Sequence, residues 1–271
     1  MIKELAIKVF KDTEKEADDF RNSPESKKFD WKVFIVCVTT AVSLTLIRYL
    51  SSHQNTIYFF EHHVSHRIAM QLKYVFDYCS YAQFFRLTHW VFILSFSYLV
   101  IPILIIKLVF KDSLKNYGLS TKNAFKDYWI YIAMLAFMIP LVYSISFTQS
   151  FQAKYPFYHL SRNEPINHRF IIWELEYFFQ FFALEFFFRG FILHGLKRRF
   201  GFYSVLVMTI PYCMIHFAKP MPETIAAIIA GIVLGTLSLK SKNIWMGFLI
   251  HCSVAITMDL CSLWQKGLLH F

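Results

Sequence analysis

Charged residues are scarce in this chain, and residues that break helices are scarcer. Asp, Glu, Lys and Arg make up 17% of 271 residues, with 8 Gly and 8 Pro. That is too little charge for the surface of a soluble domain of this length. Cysteine is also sparse: Cys37, Cys79, Cys213, Cys252 and Cys261 are odd in number and contain no C-x-x-C. Neither a disulfide framework nor a zinc finger is indicated, and the thiols read as small buried hydrophobes. No G-x-S-x-G, P-loop, H-E-x-x-H, internal repeat or low-complexity tract occurs. No A-x-A-like cleavage site follows a short apolar run near the start, so the first apolar segment is expected to stay in the membrane.

What the chain has instead is apolar length. Hydrophobic residues make up 56% and aromatics 19%, including 31 Phe. This composition predicts an all-α polytopic membrane bundle of about seven helices. Spans are expected near 32–50, 88–107, 128–148, 170–193, 202–217, 222–239 and 243–263, each approaching the roughly 20 residues a crossing needs. The fifth and sixth are short for a crossing. Residues 51–86 mix aromatics with His and read as an interfacial helix or an eighth element. The chain divides into a polar cytosolic segment (1–30), N-terminal spans with the interfacial segment (31–168), and a core (169–264). The net charge is +10, but the basic residues sit between spans, so they encode membrane topology rather than nucleic-acid binding. With the N-terminus inside, 18 Lys and Arg fall on cytosolic segments against 9 outside. That bias predicts a cytosolic N-terminus and an external C-terminus.

The fourth span, WELEYFFQFFALEFFFRGF, holds Glu185 and Arg189 inside an aromatic run. A charge at the centre of a membrane helix costs about 2.5–3.5 kcal/mol on insertion scales. Four residues apart, the two side chains share a helix face and can neutralise each other. His216 ends PYCMIH in the fifth span, and His251 lies in GFLIHCSVAITMD of the seventh, eight residues before Asp259. Measured from the cytosolic ends, Glu185, His216 and His251 lie roughly 16, 20 and 12 Å deep. A carboxylate that deprotonates water, with imidazoles to orient it and hold an oxyanion, is what peptide hydrolysis needs. In the loop HFAKPMPE, Pro222 and Glu223 suit a helix start. Seven residues from His216, Glu223 is also placed to reach the same chemistry. Ala227, Gly231 and Gly235 form a small-residue ladder for close helix packing. His62, His63 and His66 (HHVSH) read as a solvated or headgroup-facing loop rather than a metal site.

LEFFFRGF, YCMIH and HCSVA, in that order, resemble the three motifs of the CAAX-protease and bacteriocin-processing family of intramembrane endopeptidases: EExxxR, FxxxH and HxxxN or HxxxD. The resemblance covers about residues 170–260. It implies an all-helical membrane fold and hydrolysis of a membrane-anchored peptide or protein. It further implies a glutamate that activates water without a cofactor, in a family formerly called metalloproteases. Glu185 matches the second Glu of the pair and Arg189 the Arg. Tyr212 stands for the aromatic, and His216 and His251 for the two motif histidines. KPMPE and AITMD resemble a bacterial branch that processes C-terminally anchored surface proteins, which implies the bacterial inner membrane. Two positions depart: Leu184 stands where the family has its first, catalytic Glu, and Ala255 where it has Asn.

These departures leave two principal readings. Either Glu185, Glu223 or Asp259 has taken over as base, or the protein is a silent relative that binds, confers immunity or scaffolds. A cation beside a carboxylate keeps it charged and makes it a weaker base. Arg189 is such a neighbour for Glu185, and the sequence shows none for Glu223 or Asp259, so Glu223, then Asp259, is the preferred base. A proton-relaying transporter is a third reading, but the chain lacks paired, Gly/Pro-interrupted spans in matching halves.

Overall fold

The computed structural model describes residues 2–122, 124–160 and 166–269, and they are almost entirely helical. In chain order the helices are α1 (Ile2–Arg21), α2 (Trp31–Leu50), α3 (His53–His63), α4 (His66–Lys73), α5 (Ala82–Val109), α6 (Tyr128–Ile145) and α7 (Gln149–Lys154). There follow α8 (His168–Glu185), a π-helical segment (Phe186–His194), α9 (Gly195–Phe200), α10 (Ser204–Met214), α11 (Met221–Ser241) and α12 (Trp245–Gln265). The region read as interfacial therefore holds two helices, α3 and α4.

Among the described residues five helices are long and apolar enough to cross a membrane: α2, α5, α6, α11 and α12. In the most apolar stretch of α6 only 11% of residues are buried, so Trp129, Phe137 and their neighbours face outward. Apolar surface on that scale needs lipid, and the chain is an integral membrane protein. The helical path from α8 through α9 is also long, but it carries Glu174, Glu176, Glu185 and Arg189. The expected fifth span needs correcting. Helix α10 has 11 residues, about 16 Å of rise, roughly half of what a crossing needs. Pro211 lies inside it and cannot donate a helical hydrogen bond, and the chain turns away just beyond Met214. The sixth expected span is longer than foreseen, at 21 residues.

The chain forms two compact units. The first comprises Met1–Val42, Tyr98–Lys126 and Leu184–Phe248. Here α10 and α11 pack closely because Gly231 and Gly235 stand opposite Thr209, Met208 and Val205. A Cβ at Gly231 would meet Thr209 at 2.9 Å, so the small-residue ladder is a packing device. Helix α1 docks through its acidic residues. Glu14 accepts hydrogen bonds from the Phe202 backbone N–H and from Arg21, both at 2.7 Å, and so satisfies a donor at the start of the α10 segment. Gly201, at φ +57°, makes room: a Cβ there would lie 2.1 Å from Glu14 Oε1. Glu16 bridges Lys242 at 2.7 Å and Lys197 at 3.2 Å.

The second unit comprises Ser43–Ser97, Asp127–Ala183 and Leu249–Phe271. Its core gathers Val91, Tyr158, Phe170, Trp173, Tyr177, Ala255 and Leu263. Trp173 and Tyr177 stack at 5.3 Å, and Thr88 on α5 donates to Glu176 on α8 at 2.9 Å.

The Glu16 bridge makes α1 docking acid-sensitive. Burial pushes the Glu16 carboxyl up, but Lys242 and Lys197 more than offset this and hold it below the ordinary carboxylate value of 4.5. A depressed value means the bridge is complete above pH 4.5 and is lost as pH falls through the lowered value. A spin label at Lys11→Cys, in a background without native cysteines, should become mobile below that point. Glu16→Gln should mobilise it already at neutral pH. Unchanged mobility in both cases would show that other contacts hold α1.

Candidate functional site

The wild-type motif residues of the first unit converge on the π-helical segment. A π-turn inserts an extra residue into the helical ladder and is common at functional sites. Every residue of Phe186–His194 is buried, and Phe187 packs on Tyr98 at 4.7 Å. Gly190 lets the backbone of the 114–117 segment approach, since a Cβ there would lie 2.6 Å from the Tyr117 carbonyl. The same segment is tied to the α11–α12 turn: Ile244 N–H donates to Gly118 O at 3.1 Å, and Trp245 Nε1 to Ser120 O at 3.2 Å.

Glu185 and Arg189 form the expected pair. Arg189 Nη1 lies 3.0 Å from Glu185 Oε1, with 0% and 1% of the two side chains exposed. The N–H does not point along the line to the oxygen, so the contact is ionic more than hydrogen-bonded. The guanidinium also sits 3.9 Å from the centre of the Tyr212 ring. A desolvated cation–π contact of this kind contributes about 2 kcal/mol. Tyr212 in turn holds His216: the rings are 4.9 Å apart, and His216 Nδ1–H donates to the Tyr212 carbonyl at 2.8 Å. That bond makes Nε2 the acceptor nitrogen of the neutral ring. Thr224 Oγ1 donates to the His216 carbonyl at 2.9 Å, fixing the first turn of α11 beside it.

Glu223 occupies that same first turn, as expected. The expectation that it has no cation is wrong: Lys219 Nζ lies 3.3 Å from Glu223 Oε2, with 29% and 22% of the side chains exposed. The spacing of four was visible in KPMPE, but its two prolines obscured the helical relation. Leu184, at the position of the family's catalytic Glu, is buried and apolar.

His251 and Asp259 lie in the second unit. The His251 ring stacks on Phe181 at 5.4 Å, with 3° between the planes. Asp259 is 2% exposed and has Glu174 as its close neighbour, while the charge of Lys266 also acts on it. Ala255 packs in the apolar core. Among the described residues no group of three or more His, Cys, Asp or Glu could hold a metal, and His66 of HHVSH faces Glu61 at 3.5 Å.

Sequence reasoning missed Gly247. A Cβ there would lie 2.5 Å from Glu185 Oε2 and 3.1 Å from its Cδ. The carboxylate occupies the space a side chain on α12 would take, and no sequence signal links a glycine to a carboxylate 62 positions earlier. Gly247→Ala should displace Glu185 from Arg189 and lower stability by about 1–3 kcal/mol, the usual cost of overpacking. Thermal unfolding in detergent checks this. In a Glu185→Ala background the same substitution should be nearly neutral; an equal loss there would mean that the clash lies elsewhere.

In comparison with known proteins, residues 167–257 match the family model for type II CAAX prenyl endopeptidase Rce1-like proteins. Neither the curated proteins nor the solved structures gave a match. The matched segment runs from the start of α8 into α12 and contains Glu185, Arg189, Tyr212, His216 and His251. Over this segment the chain is similar to that family.

Proposed function

We propose that this chain is an intramembrane endopeptidase that hydrolyses a peptide bond in a membrane-anchored protein or peptide. The observation that carries this reading is the run of contacts from Glu185 through Arg189 and Tyr212 to His216. It joins residues of two family motifs in one buried place. In the proposed reaction a carboxylate takes a proton from water, the water oxygen attacks the scissile carbonyl, and the proton passes to the leaving amine as the C–N bond breaks. His216 orients the water and supports the developing oxyanion. Arg189 positions rather than reacts, because its guanidinium is occupied by Glu185 and Tyr212.

With Leu184 apolar, the base must be another carboxylate. Glu223 is favoured because it is partly exposed, so water reaches it, and because its neighbour Thr224 is bonded to the His216 carbonyl. Lys219 is its ion-pair partner. Glu185 is the second choice and Asp259 the third. His251 enters on the family's motif order as an assisting imidazole. The distribution of basic residues supports a cytosolic N-terminus, and the resemblance of KPMPE and AITMD to a bacterial branch of the family supports the bacterial inner membrane. The buried Leu184 favours one other reading, a silent relative that binds without cutting.

Membrane proteomes separate the two. Cells carrying His216→Ala at wild-type protein levels should accumulate uncut precursors, with turnover reduced about 100-fold or more, the scale of a lost acid–base group. Glu223→Gln should do the same. Loss only in Glu185→Gln or only in Asp259→Asn would move the base to that residue. Proteomes unchanged in all four variants would support the silent relative. Reporter fusions at Lys115 and Arg198 should read cytosolic, and fusions at Lys154 and Phe271 external. Phe271 lies outside the described residues, and a cytosolic signal there would mean that the number of crossings is even, with one span missed or one too many counted.

A further inference from the structure

We propose that a lysine-lined cavity of the first unit, at the end of α11, binds a phosphate group, supplied by the head group of an anionic lipid. The cavity lies between α1, α9 and the end of α11 and holds about 300 Å³, within the range of small-ligand sites. Lys8, Lys197, Lys240 and Lys242 line it, against only two carboxylates, Asp12 and Glu16. Val9 and Leu239, both buried, give it an apolar wall. None of these residues belongs to the three family motifs or takes part in the proposed cleavage.

Part of this charge has a structural use. Lys197 and Lys240 stand in the last turns of α9 and α11, where cations complement the helix dipole. Lys197 and Lys242 also hold Glu16. Neither use accounts for Lys8, which lies within α1, is exposed, and makes no ion pair among the described residues. Nor does one carboxylate exhaust a lysine, because an ammonium carries three N–H donors. Four such groups around an enclosed space, against two carboxylates, leave donors and positive charge for an anion. A phosphate offers several acceptor oxygens, and Lys binds it as a point charge. Position favours a lipid as its source. Helix α11 is apolar and long enough to cross the membrane, and it ends at Ser241 beside the cavity. Helix α2, another such crossing, starts at the same end of the unit: Arg199 of α9 donates to the Ser26 carbonyl at 2.8 Å, just ahead of Trp31. Phe29, Trp31 and Phe34 cluster there with ring centres 4.8–5.8 Å apart, and all three are exposed. Aromatics of this kind sit at the membrane–water boundary. The cavity is thus at head-group depth, where basic pockets take up anionic lipid head groups.

The test is the melting temperature of the full chain in neutral detergent micelles, titrated with phosphatidylglycerol, phosphatidylcholine or inorganic phosphate at constant ionic strength. Phosphatidylglycerol should raise it to a plateau. Phosphatidylcholine, whose phosphate is neutralised by its own choline, should have no effect at the same concentrations. Inorganic phosphate should act only at much higher concentration; a response to it as strong as that to phosphatidylglycerol would overturn the lipid assignment. The double variant Lys8→Gln, Lys240→Gln should weaken the apparent affinity for phosphatidylglycerol about tenfold or more. Lys8→Gln alone, at an exposed position, should weaken it about fivefold and serves if the double variant does not accumulate. Lys11→Gln with Lys15→Gln makes the same charge change on α1 outside the cavity and should leave the affinity unchanged. No response of the wild type to phosphatidylglycerol, or an equal response to phosphatidylcholine, would overturn the proposal. Unchanged affinity in the Lys8 variants, or an equal loss in the Lys11 and Lys15 pair, would also overturn it, since diffuse surface charge would then be the cause. None of these readouts depends on whether the protein cleaves peptides.

Discussion

The buried contact between Glu185 and Arg189 is the constraint around which the first unit is built. Removing either partner strands a charge at a cost of about 3–5 kcal/mol. Both side chains are almost wholly excluded from solvent, so the surrounding residues must keep them together. Tyr212 provides the other face for the guanidinium, and through its carbonyl it sets the tautomer of His216. One electrostatic requirement thereby fixes an aromatic ring, a histidine and the register of α10 against the π-helical segment.

Space is the second requirement, and glycines supply it at specific contacts. Gly247 leaves room for the Glu185 carboxylate, and Gly190 admits the Tyr117 backbone. Gly231 and Gly235 let α11 approach the short α10. Close approach of backbones is how helices pack where there is no water to drive association. The two prolines of KPMPE, by contrast, stand at the start of α11, Pro220 as its N-cap and Pro222 in its first turn beside Glu223.

Much of this was legible because membrane helices announce themselves by composition. The all-helical membrane architecture followed from 56% hydrophobic residues, and the Glu185–Arg189 pair from a spacing of four. The π-helical segment was not legible, since the apolar runs Phe186–Phe188 and Phe191–Leu193 carry no helical period. Helix α10 was read too long because hydropathy continues through Phe217 while the helix ends at Met214. Gly247 was missed because its significance lies in a partner on another helix, and a single sequence does not show which helices touch. The family model covers the region of the three motifs and is independent of the contacts seen there.

The central claim is that Glu185 and Arg189 act as one unit, and a double-mutant cycle measures this directly. Folded-state stability in detergent would be compared for Glu185→Gln, Arg189→Met and the combined variant. The account predicts that each single variant loses about 3–5 kcal/mol, while the double loses less than the sum by about 2–3 kcal/mol, because neither charge is then stranded. Additive losses would contradict it, showing two independent buried charges and no shared constraint.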